Sequence, residues 1–152
     1  AMLDVFSMLP SGFTLDIFGG GAENEISQLK KKVKDTPGVC FKGEAVDIKH
    51  VLRQYSVFLM TSRYEGFGQT LIEARSQGLP IIAFDTFDAL SWIVLEGYNG
   101  YTIKENDNQK FSEKIVELCS NHDKYIGMSK NSLLKSIETD MDLIKEKWKM
   151  VL

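Results

Sequence analysis

Short apolar runs alternate along the chain with longer stretches of helical period, and this alternation predicts the elements. Met2, Leu3, Val5, Phe6, Met8 and Leu9, stopped by Pro10, read as the closing turns of a helix. Residues 14–18 alternate into a strand that runs into Gly19, Gly20 and Gly21, and Ile26, Leu29 and Val33 then mark one helical face. Three glycines in a row invite comparison with a dinucleotide fingerprint, but the spacing of that motif is absent, which leaves a close-approach turn. Val39, Cys40 and Phe41 form a second strand ended by Gly43, and Asp47 is placed to cap a helix with Ile48, Val51, Leu52 and Tyr55 inward.

A third strand, rich in β-favouring residues, covers 56–60, and a fourth covers 79–84. Residues 85–95 read as a loop with one helical turn, and Gly97, Asn99 and Gly100 as a turn into a fifth strand at 101–103. Strands recurring between helical patterns imply a parallel sheet covered on both faces, an α/β, Rossmann-like three-layer domain. Phe111, Ile115, Leu118 and Cys119 then define a helix starting near Asp107 or Asn108. Two more helices are expected at 124–136 and 140–152, the last with Leu143, Ile144, Trp148 and Val151 on one side.

Residues 62–78, SRYEGFGQTLIEARSQG, follow the third strand directly, in the order strand, loop, helix. In an open α/β sheet ligands bind at the carboxyl ends of strands, so this stretch holds the candidate chemistry. Gly66 and Gly68 flank Phe67 and let the backbone come close to a ligand. A helix beginning at Gly68 or Gln69 leaves the N–H groups of Gly68, Gln69, Thr70 and Leu71 free, which is a ready anion site. Gly78 stands where that helix should stop.

Glu73 lies about one turn inside this helix, where a carboxylate would repel a phosphate but can accept from two hydroxyls, as a ribose diol offers. Glu65, displaced from the helix, would face another hydroxyl-bearing group such as a sugar. A phosphate site between the two carboxylates describes a nucleotide diphosphate sugar. The plainer alternative makes Glu73 an acid in the helix macrodipole and Glu65 an exposed loop acid. On spacing alone that alternative is favoured.

Composition narrows the picture without deciding it. At 152 residues, 43% apolar and 26% charged, the chain suits one domain with a real core, placed at residues 1–152. A net charge of -3 provides no basic footprint, which argues against nucleic acid as the main partner. No apolar run reaches the roughly 18 residues of a spanning helix, so a cytoplasmic setting is expected. Cys40 and Cys119 have no neighbouring Cys or His at metal-ligand spacing, so both read as buried thiols and no metal site is assigned. His50 and His122 read as surface residues, with His50 close to the mouth of the sheet.

Glu65-Gly66-Phe67-Gly68 with Leu71-Ile72-Glu73-Ala74, then Gly78-Leu79-Pro80-Ile81-Ile82-Ala83, resembles the E-x7-E signature of the retaining family 4 (group 1) glycosyltransferases and the strand after it. Residues 15–19, 39–43 and 96–101 extend the match, so that the chain looks like the C-terminal, donor-binding half of a GT-B fold. The resemblance implies that Glu65 is the catalytic-site carboxylate at the donor sugar, positioning it or stabilising an oxocarbenium-like centre. It also implies that Glu73 holds the ribose and that the amides of Gly66, Phe67, Gly68, Gln69 and Thr70 hold sugar and diphosphate oxygens. Glu44 and Ala45 would lie against the base. The implied substrate is a UDP-, GDP- or ADP-sugar, with no cofactor and no required metal.

The same resemblance implies an acceptor domain preceding residue 1, which would carry the cations for the leaving diphosphate and could bring the whole protein to the inner face of a membrane. Lys42 and Arg63 are nearby but are not assigned that role. Alone, the chain is expected to bind donor weakly and to catalyse nothing, because losing one preorganised charge-stabilising group costs about 10²-fold or more in rate. Residues 85–94, DTFDALSWIV, depart from the family by placing Ala89 and Trp92 where Gly and Glu are common. That departure keeps open a degenerate binding or scaffold module. A sugar-nucleotide epimerase of similar architecture is disfavoured by the E-x7-E spacing. The C-terminal helices of such proteins often cross back to the first domain, so Trp148 or Met150 and their neighbours are expected to be exposed or repacked.

Overall fold

A computed structural model describes residues 1–150, apart from the side chains of Met141, Asp142 and Lys147. Its elements run α1 (Met2–Phe6), β1 (Leu15–Phe18), α2 (Glu23–Lys34), β2 (Val39–Gly43), α3 (Ile48–Leu52), β3 (Phe58–Met60) and α4 (Gln69–Ser76). They continue as β4 (Ile81–Asp85), α5 (Leu90–Ile93), β5 (Gly100–Lys104), α6 (Asn108–Ser120) and α7 (His122–Ser136). A 3₁₀ turn (Ile137–Thr139) and α8 (Met141–Lys149) close the described chain. Each expected strand is present, and all pairings among them are parallel. The hydrogen bonds nevertheless form two ladders, β1-β2 and β3-β4-β5, rather than the single sheet expected. Apolar periodicity marks a strand but carries no record of which neighbour its amides reach.

Around β4 the three layers are clear. Ile82 and Phe84 point to one face with Tyr101 and Ile103 of β5, where Phe111, Ile115 and Leu118 of α6 and Val5 of α1 cover them. The Phe84 and Phe111 rings meet edge to face at 5.0 Å. Ile81 and Ala83 point to the other face, covered by Leu71 and Ile72 of α4 and by Leu90 and Ile93 of α5. β4 is thus buried on both sides, which is why residues 79–84 read as a continuous apolar run.

Asp47 and Asp107 cap helices where the sequence suggested. Asp47 accepts from the His50 amide at 3.1 Å and Asp107 from the Lys110 amide at 2.9 Å. Asn121 accepts from the Lys124 amide, so α7 begins at His122, earlier than the periodicity alone indicated. α4 ends in a Schellman motif: the Gly78 N–H donates to the Arg75 carbonyl and the Leu79 N–H to the Ala74 carbonyl. At the β1-β2 ladder, the Tyr55 hydroxyl donates to Asp16 at 2.7 Å, and burial together with that bond pushes its pKa up to about 12.

Both cysteines are exposed, which corrects the expectation of buried thiols. In β2 the alternation turns Val39 and Phe41 inward and leaves Cys40 and Lys42 on the open face. In α6 the buried stripe is Phe111, Ile115 and Leu118, and Cys119 lies about 100° beyond Leu118, past its edge. Trp148 and Met150 are exposed, as expected for this part of the chain. Val151, placed on the same face by the sequence pattern, lies outside the described residues.

Candidate functional site

α4 starts where the pattern put it, and Gly68 is its N-cap with φ 76° and ψ 42°, the left-handed conformation. Two physical demands fall on this residue at once. Its φ favours glycine, and a Cβ there would lie 2.9 Å from Phe87 Cζ and 3.2 Å from Ile93 Cδ1. The Gly68 carbonyl accepts from the Leu71 and Ile72 amides at 3.0 and 3.3 Å. The Leu71 N–H is therefore spoken for, which corrects the expectation that it was free. Among the described residues the amides of Gly68, Gln69 and Thr70 have no protein acceptor, and Gln69 and Thr70 are exposed. The donors of Gln69 and Thr70 are open to an anion, while Gly68 itself is buried.

Glu65 and Glu73 are both half-buried, and among the described residues neither carboxylate forms a hydrogen bond or ion pair. The two carboxyl groups, each with open acceptor capacity, flank the free N–H donors in sequence, and a carboxylate can accept from hydroxyls. Gly66 and Phe67 bridge them in the exposed loop. Glu44 follows β2, and its carboxylate lies over the glycine turn after β1: a Cβ on Gly20 would be 2.0 Å from Glu44 Oε1. Ala45 beside it is half-buried. No hydrogen bond or ion pair among the described residues joins Glu44 or Ala45 to the stretch 65–73. The two groups share only the carboxyl ends of their strands.

Lys42 and Arg63 are engaged elsewhere. Lys42 Nζ lies 3.5 Å from Asp16, whose charge raises the lysine pKa, and Arg63 Nε lies 3.7 Å from Glu105.

Arg75 and Trp92 are the residues that sequence reasoning did not place in the site. The Arg75 side chain is fully buried: Nη1 donates to the Ile93 carbonyl and Nη2 to Thr139 Oγ1, both at 3.3 Å, while Nε has no partner. Burial pulls its pKa down and the charge of Glu138 partly offsets this. The indole of Trp92 covers the guanidinium at 5.3 Å and meets the Phe67 ring at 5.8 Å. The departing loop 85–94 thus braces the E-G-F-G loop from behind. A signal existed for Arg75, because it stands one helical turn after Leu71, which is fully buried. The sequence marked Trp92 only as a departure from the family pattern, with nothing local to set it against Arg75 or Phe67.

A family model described as Glycosyl transferases group 1 matches residues 2–134. The UDP-N-acetylglucosamine--peptide N-acetylglucosaminyltransferase GtfA subunit of Streptococcus gordonii is 33% identical over 130 residues, 79% of this chain and 25% of that protein. The poly(glycerol-phosphate) alpha-glucosyltransferase of Bacillus subtilis is 32% identical over 117 residues, 73% of this chain and 17% of that protein. The crystal structure of the pneumococcal O-GlcNAc transferase GtfA in complex with UDP and GlcNAc superposes with a TM-score of 0.76 at 29% identity, covering 91% of this chain and 28% of that one. The chain therefore spans a quarter or so, or less, of the length of these proteins.

Proposed function

The chain belongs to the glycosyl transferases group 1, and we propose that it is the donor-binding half of a retaining GT-B enzyme that moves a sugar from a nucleotide diphosphate sugar to an acceptor glycan or lipid-linked saccharide. The observation that carries this is the α4 start, where the free amides of Gly68, Gln69 and Thr70 are flanked in sequence by two carboxylates without a partner among the described residues. In this reading the amides take the diphosphate, assisted by Gly66 and Phe67 of the loop. Glu73 accepts from the ribose hydroxyls, and Glu65 positions the sugar and stabilises positive charge developing at its anomeric carbon. Glu44 and Ala45 border the base. A preceding domain brings the acceptor and the cations that meet the leaving diphosphate, and no metal is required.

UDP is the first nucleotide to try, because the pneumococcal relative was crystallised with UDP and GlcNAc. Titration calorimetry with UDP, GDP and ADP should show binding of at least one, unchanged by EDTA. Glu73→Ala should weaken it about tenfold or more through the lost charge-assisted bonds. Indifference to Glu73→Ala would remove the ribose assignment. Failure of all three nucleotides, also in the full-length protein, would leave a binding module in which Trp92 has a structural role alone.

A further inference from the structure

A cleft of about 750 Å3 opens beyond the carboxyl ends of β3, β4 and β5, and neither Glu65 nor Glu73 lines it. Its first bank is the start of the donor loop, where Arg63 and Tyr64 stand directly before Glu65 and the Tyr64 side chain is 92% exposed. Its second bank runs from Asp85 at the end of β4 through Asp88 in the connection to Ser91 of α5. Phe87 forms part of the wall, and its ring also backs Gly68.

Charge selects what this cleft takes. Arg63 is already held by Glu105, while among the described residues the Asp85 and Asp88 carboxylates have no ion pair and no hydrogen bond. The cleft therefore presents uncompensated negative charge, the reverse of the α4 start, and repels phosphate. Ionised carboxylates only accept hydrogen bonds, so the matching ligand is dense in donors. Tyr64 and Phe87 add aromatic surface that a ligand with an apolar face can cover. Hydroxyls around a ring with C–H faces meet both demands in one molecule.

We propose that this cleft is a subsite on the donor half for an uncharged saccharide unit of the acceptor that the preceding domain brings, next to the loop that carries Glu65, an assignment that rests on the donor-binding reading of that loop. One loop then separates two chemistries: the diphosphate is held on its α4 side and an uncharged sugar on its β4 side. Phosphate-bearing parts of an acceptor would be directed away from the cleft.

The test is saturation-transfer NMR with maltotriose and N,N′-diacetylchitobiose, tri-lysine as a cationic probe and UDP as the donor-side probe. It compares the wild-type chain with Asp85→Asn/Asp88→Asn, Tyr64→Ala and Glu73→Ala. At least one saccharide should bind at about 10 mM, and the double variant should weaken it about tenfold while UDP binding is retained. Tyr64→Ala, on an exposed ring, should weaken the same saccharide and serves if the double variant folds poorly. Glu73→Ala should do the opposite, reducing UDP and sparing the saccharide. No saccharide binding, saccharide binding indifferent to both cleft variants, or occupation of the cleft by tri-lysine instead would overturn the proposal. Saccharide binding that depends on the cleft, with none of UDP, GDP and ADP taken by the chain or by the full-length protein, would sustain the saccharide site and sink the donor reading.

Discussion

Trp92 ties separate parts of the chain together through one indole. Its ring lies 5.3 Å from the Arg75 guanidinium, 5.8 Å from Lys135 Nζ and 5.8 Å from the Phe67 ring. Truncating it would uncover a buried cation whose Nε is already unpartnered, and would free Phe67 between Glu65 and the α4 start. Trp92→Ala should lower stability by about 1–3 kcal/mol, the sum of a cation–π and an aromatic contact. Nucleotide binding should weaken more than in Trp92→Phe, which keeps a ring in place; thermal melts and calorimetry on the two variants separate these effects. Glu65, Glu73 and the glycines around them were legible in the sequence because glycine spacing and helix starts are local properties. The brace was not, because Trp92 and Arg75 stand on different elements and their contact depends on how α4 and α5 pack.

At the level of elements, α6 and α7 are joined by a small network around Glu117. Lys114 lies 2.6 Å from Glu117, Lys124 forms a second ion pair with it, and the Tyr101 hydroxyl donates to it at 3.0 Å. The hydrogen bonds from Lys114 and Lys124 hold the Glu117 pKa down at about 2 from its ordinary 4.5. A depressed carboxylate stabilises the fold above its unfolded pKa and loses that contribution as pH falls through the folded value. Wild type should therefore exceed Glu117→Gln in melting temperature near neutrality, with the gap closing between about pH 4.5 and 2. The gap should be under about 1 kcal/mol, since the carboxylate is partly solvated. A sharper penalty is expected at β5, where a Cβ on Gly100 would lie 2.0 Å from the Ile81 carbonyl oxygen. Gly100→Ala must push β5 off β4 and should cost more than about 3 kcal/mol in chemical denaturation. Element identity and two of the caps were readable here, since Asp47 and Asp107 each cap the helix that follows, whereas the Asn121 cap was read as a turn. The side of a helix on which Cys119 falls was not, because an apolar stripe has an edge that only packing defines.

On the scale of the whole molecule, the described C-terminal helices leave Leu133, Leu134, Ile137, Leu143, Trp148 and Met150 exposed. Parallel strands and layers were legible from alternation, whereas the division into two ladders was not, since pairing partners lie far apart in sequence. That division ranks the strands by how readily they open. Among the described residues β4 alone is hydrogen-bonded to a strand on each side, while β1, β2, β3 and β5 each have one bonded neighbour strand. Amide exchange should therefore be slowest at Ile82, Ala83 and Phe84 and faster throughout β1 and β2, with the glycine turn after β1 among the first amides to exchange. The slowest-exchanging strand is also the one against which the α4 face packs, so the helix start and its free amides are mounted on the last part of the sheet to let go.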